Sequence, residues 1–168
     1  MLAMLAAASA TLPARAAGTV PLAIGAPAPA LSEPVGNGSF ESSKSTKPYV
    51  VEFFAVWCPH CQRETAVLNR LQDVDGGRID IIAVPASPLG FDHASMLQPA
   101  DVAAFAQRFD VRYRIGFDGF FSSAYDYGIA AFPTFFFVGA DRHVVAVESG
   151  ETPFERLHAD VDATLAAP

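Results

Sequence analysis

The run Tyr49 to Val56, YVVEFFAV, is apolar at every position but one. A strand without polar alternation is covered on both faces, so this run predicts a central strand with a lone carboxylate, Glu52, in its middle. From Pro59 to Asp73 the apolar positions change to helical spacing at Val67, Leu68 and Leu71, and Gly76-Gly77 supplies a stop. Ile79 to Val84 is a second short, fully apolar strand, and the order strand, helix, strand predicts a right-handed parallel crossover. Pro85 to Pro99 reads as a loop. A second helix is expected over Pro99 to Phe109, carrying Val102, Phe105 and Phe109, followed by a short strand near Tyr113 to Phe117 and a helical stretch from Phe120 to Tyr127. Thr134 to Val138 and Val144 to Glu148 flank the turn residues Gly139 to Arg142, the mark of an antiparallel pair. A last helix over Pro153 to Ala166 presents Phe154, Leu157, Val161 and Leu165 to one side.

The first 45 residues differ in pattern. MLAMLAAASATLPARAAG is an alanine-rich apolar run ending in Ala14-Arg15-Ala16, the small-x-small form of a signal-peptidase site, so residues 1–16 predict an export signal cleaved after Ala16. About twelve apolar residues are too few to span a bilayer. No Lys or Arg precedes the apolar stretch; a start further upstream would supply one and would leave a membrane anchor open. Residues 17–45, rich in Pro, Gly, Ala and Ser, read as an extended segment with a short hairpin around Gly36 to Ser39. Residues 46–168 form the predicted domain. A chain of 168 residues with 51% hydrophobic and 11% aromatic composition is enough for one packed core. Its net charge of −7 and lack of clustered Lys and Arg argue against nucleic acid as a partner.

The chain has only two cysteines, Cys58 and Cys61, and both fall where the central strand gives way to the helix. A thiol attacks a disulfide only as thiolate, which a helix N-terminus and a nearby cation favour. Pro59 suits the first helical position, making Cys58 the N-cap with its sulfur facing unpaired amides, and His60 adds a possible positive charge. Cys61 comes one turn into the helix, within disulfide reach of Cys58 and deeper, as suits a resolving thiol. Two inert core cysteines would not need this placement. Zinc would need two more ligands, and His93, His143 and His158 are scattered. No cofactor is expected.

FFAVWCPHC resembles the active-site segment of the thioredoxin-like superfamily. IGAPAPAL upstream, the insertion between Ile82 and Asp118, and YGIAAFPTFFFV resemble exported proteins of the TlpA/ResA type, whereas CPHC and the preceding VEFF resemble DsbA, a periplasmic disulfide oxidant. The resemblance runs from about Ile24 to the end. It implies an α/β thioredoxin-like fold: a central mixed β-sheet flanked by helices, with an insertion between the βαβ unit and the C-terminal ββα unit. It further implies a cis peptide before Pro133 in the loop Phe132-Pro133-Thr134, whose edge would pair with substrate, and a buried acid, Glu52, beneath Cys61 to take that thiol's proton. Trp57 would flank the site as a lid. Glu64 falls where reductases of this frame often carry an acid, although its place in the helix reads as a solvated surface position, and that is the expectation here. Ala66 stands where the family's kinking proline would be, so a straighter helix is expected.

The implied activity is thiol–disulfide exchange with cysteine-containing protein substrates in the periplasm, served by a membrane redox partner. Stabilising the thiolate stabilises the reduced state, so His60 pushes toward a disulfide donor, while the TlpA/ResA-like frame pulls toward a reductase, for example in cytochrome c maturation. Oxidase ranks slightly ahead. A different class, a carrier holding Cu(I) between the two thiolates, needs no electron turnover.

Overall fold

The computed structural model describes residues 22–36 and 38–167, so the expected export signal lies outside the described residues. A hairpin of β1 (Ser32–Val35) and β2 (Gly38–Glu41) precedes the main sheet. There follow β3 (Tyr49–Phe54), α1 (Pro59–Asp75), β4 (Asp80–Pro85), α2 (Pro99–Arg108), β5 (Arg114–Ile115), α3 (Ser122–Asp126), β6 (Thr134–Val138), β7 (Val144–Ser149) and α4 (Phe154–Ala166). The five-stranded sheet has the order β5-β4-β3-β6-β7, with β3–β4 and β4–β5 parallel and the other pairs antiparallel. This is the mixed sheet of a thioredoxin-like fold.

Strand β3 is central, and all six of its residues are buried. Successive side chains in a strand point to opposite faces. Val50 and Phe54 accordingly pack with Leu68 and Leu71 of α1, Phe105 of α2 and Leu157 and Val161 of α4. Tyr49, Val51 and Phe53 pack on the other side with Leu22, Leu31, Phe40 and Tyr127. The segment before β3 therefore supplies core, each fully buried leucine being worth about 2 kcal/mol. The same parity puts Glu52 on the face of Val50 and Phe54, under α1.

Two chain ends converge where β3 stops. Because β6 runs antiparallel to β3, its first residue, Thr134, pairs with Phe53 at the C-terminal end of β3. Because β7 runs antiparallel to β6, its last residue, Ser149, pairs with Thr134. The loop before β6 and the turn after β7 are thus both carried to the N-terminus of α1. Helix α1 runs without a break through Ala66. None of the described helices is long and apolar enough to cross a membrane.

Candidate active site

Cys58 is the N-cap residue of α1, with an extended backbone, and Pro59 takes the first turn. The sulfur makes no capping hydrogen bond. Its thiol lies instead 3.9 Å from the carbonyl oxygen of Phe132, which corrects the expectation of a sulfur facing the helix amides. The Phe132-Pro133 peptide is cis, and Pro133 is buried beside the dithiol. Cys58 is 5% exposed and Cys61 1%, so the sulfur nearer the surface is that of Cys58. Both are free thiols. Trp57 is half-buried; its indole N–H donates to Ser87 Oγ at 2.9 Å, and its ring lies edge-on to Phe132 and tilted against His93. Thr134 is buried and donates its hydroxyl to Ala131 O at 2.9 Å, so this side chain holds the turn around Pro133.

Beneath the dithiol is a pair of buried acids. Glu52 is 2% exposed, as the unbroken apolar run around it implied. Burial holds its carboxyl well above the ordinary range, and the charges of Glu64 and Cys58 add to this. Burial likewise pushes the Cys61 thiol far up, with the Glu52 carboxylate as the next cause. Cys61 therefore holds its proton firmly, under the influence of the Glu52 charge.

Glu64 corrects the sequence expectation. It is 2% exposed rather than solvated, and both its carboxylate oxygens accept from Thr152 N–H at 3.3 Å. Burial raises its pKa to about 7, against the bond from Thr152. The signal was in the helical pattern: Cys61, Leu68 and Leu71 define the inner face of α1, and positions 64 and 65 lie on it. Tyr113, buried on β5's approach, also belongs here. Its phenol is held in the un-ionised form by burial and then by the Glu52 charge.

The outer rim carries charge. His60 and Arg63 are exposed on the first turns of α1, and both contact Glu151, from the turn between β7 and α4. The second positive charge expected from His60 is therefore not a free one. Among the described residues, no three His, Cys, Asp or Glu side chains converge in a way that could hold a metal ion.

The profile of one protein family, Redoxin, matches residues 23–165. The chain belongs to the Redoxin family. Among curated protein sequences none matches this redoxin. Several solved structures share its fold. A thiol:disulfide interchange protein DsbE, so described for Chlorobium tepidum, is 22% identical with a TM-score of 0.74, covering 86% of this chain and 99% of that one. A thioredoxin family protein from Chlorobium tepidum, a thiol:disulfide interchange protein, is 26% identical with a TM-score of 0.63, over 85% and 98% of the two chains. A secreted Mycobacterium tuberculosis disulfide oxidoreductase homologous to E. coli DsbE is 18% identical with a TM-score of 0.64, over 79% and 95%.

In this redoxin the fold gathers Cys58, Cys61, Pro59, His60, Trp57, Glu52, Phe132 and Pro133 around one strand end. Sequence reasoning missed Glu151, which lies 91 residues from His60 and carries no local signal. It also missed Tyr113 as a neighbour of the acid pair.

Proposed function

We propose that this thiol–disulfide oxidoreductase exchanges the Cys58–Cys61 couple with cysteines of protein substrates through a mixed disulfide at Cys58, in the direction of disulfide donation. A substrate thiolate attacks Cys58 Sγ; the Cys58–Cys61 bond breaks and Cys61 leaves with the electron pair. Cys61 then takes a proton, and Glu52 is the group placed to supply it. A second substrate thiolate attacks the substrate's own sulfur in the mixed disulfide and releases Cys58. The substrate is oxidised by two electrons and the dithiol is reduced, so a membrane-held electron acceptor must restore the disulfide. The observation that carries exchange through Cys58 is the asymmetry of the two sulfurs, Cys58 beside the cis-proline loop and Cys61 more deeply buried; the direction rests on His60 within the CPHC segment. Peptide substrate would pair with the edge at Phe132 to Thr134, flanked by Trp57. Export to the periplasm is supported by the apolar first residues and by the secreted nature of the Mycobacterium tuberculosis protein of the same fold.

One observation favours the opposite direction. Glu151 pairs with Arg63 and contacts His60 on the helix start that carries Cys58, an arrangement that lowers the push of positive charge toward the oxidising end and suits a reductase fed by a membrane electron donor. Two measurements test the proposal. The Cys61→Ser protein should accumulate a mixed disulfide when the Cys58 thiolate attacks the disulfide of an oxidised client peptide, whose other sulfur leaves as thiolate, and Cys58→Ser should not; trapping in neither variant, with stoichiometric Cu(I) retained against a chelator, would assign metal carriage instead. The potential of the couple against glutathione then gives the direction: near or above about −150 mV marks a donor, and near or below about −250 mV a reductase.

A further inference from the structure

Three consecutive residues after β7 each hold a different part of the dithiol site. Gly150 N–H donates to Pro133 O at 2.8 Å, and Thr152 N–H donates to Glu64. Glu151, between them, meets the side chains of His60 and Arg63 on α1. Its Oε1 is 2.5 Å from His60 Nδ1 and 2.5 Å from Arg63 Nη2, while Arg63 Nε lies 3.1 and 3.2 Å from its two oxygens. Arg63 Nη2 also lies 2.9 Å from His60 Nδ1, so the three side chains form one cluster.

The bond from Glu151 chiefly raises the Arg63 pKa, and the charge of the Cys58 sulfur adds a smaller part. His60 and Arg63 lie on the first turns of the helix that Cys58 caps. A carboxylate shared by both cancels part of their field. All three side chains are well exposed, at 59%, 56% and 39%, so the cluster contributes little to holding the fold together. The carboxylate is carried there by the backbone, through the bonds of Gly150 and Thr152 on either side. The geometry points to Glu151 as the counter-ion of the dithiol: by pairing His60 and Arg63 it withholds stabilisation from the thiolate-bearing reduced state and makes the couple more reducing than CPHC alone would set it. Glu151 is a positioning residue, acting through its two partners. The inference rests on Cys58–Cys61 being the exchanging couple.

The test is the equilibrium constant of the full chain with glutathione for Glu151→Gln, Glu151→Asp and Arg63→Gln. Because histidine can change its own charge near neutrality, the Glu151 substitutions are repeated on a His60→Gln background. Glu151→Gln should move the constant about tenfold toward the dithiol, equivalent to about 30 mV more oxidising. Glu151→Asp should restore most of the wild-type value, and Arg63→Gln should move the constant the other way. An unchanged constant for Glu151→Gln on the His60→Gln background would overturn the counter-ion role. So would shifts of the same sign for Glu151→Gln and Arg63→Gln, which would mean that the turn had moved rather than the charge. Loss of the mixed disulfide in Cys61→Ser would instead remove the exchanging couple itself, and the counter-ion with it.

Discussion

Glu64 gives the sharpest test of the buried acid pair, because its burial has a calculable consequence for stability. In the unfolded chain its carboxyl titrates near 4.5, and in the folded chain at about 7. Below the lower value both states carry the proton and the residue makes no pH-dependent difference. Between the two values the unfolded chain releases the proton while the folded chain keeps it, so stability falls as pH rises, and above about 7 the loss is complete. The full displacement corresponds to at most about 3 kcal/mol, and solvent screening at the nearby rim brings the expectation to about 2 kcal/mol. Glu64→Gln removes the charge but retains an oxygen for Thr152 N–H. The reduced variant should therefore match the wild type at pH 4.5 and exceed it by about 2 kcal/mol at pH 8.5, or about 4–8 °C in Tm for a chain of this size. Guanidinium unfolding of both reduced proteins across that range reads the difference directly. A gap between the two proteins that stays constant with pH, or that closes as pH rises, would refute the reasoning.

Other consequences of the geometry are as direct. In the reverse of the first exchange step Cys61 attacks the mixed disulfide and Glu52 accepts its proton. Glu52→Gln should therefore slow that step, and by microscopic reversibility the forward one, on the order of 10²-fold, while alkylation of Cys58 stays within about twofold of wild type. Equal loss in both assays would end the proton-transfer role. Asn69 ties α1 to the chain after α2: its Nδ2 donates to Asp110 O at 2.9 Å, and its Oδ1 accepts from Arg112 N–H at 2.8 Å. Asn69→Ala leaves both backbone groups unpaired and should cost about 2 kcal/mol in a urea titration without moving the redox potential; a loss below about 0.5 kcal/mol would show that water replaces the amide.

The sequence determined by itself everything that depends on neighbours along the chain. The apolar runs from Tyr49 and from Thr134 are strands because a stretch without polar residues must be covered on both sides, and these two are paired in the middle of the sheet. Cys58 before Pro59 is a helix start because proline is tolerated there and few other residues specify the position so well. Even the depth of Glu52 could be read from its apolar neighbours. What only the tertiary structure decided concerns groups that meet across the sheet order. Glu64 is on the inner face of α1 by helical periodicity, but its partner Thr152 is 88 residues away, and without that N–H a surface position was the natural reading. His60 looked like an unopposed cation because its local sequence offers no acid; Glu151 reaches it only because β6 and β7 each reverse direction and return the chain to the end of β3. Spacing within an element fixes which face a side chain takes, since 3.6 and 2 are properties of the backbone alone. Which charge faces it is set by strand pairing, and a carboxylate brought there from far along the chain leaves no periodic trace.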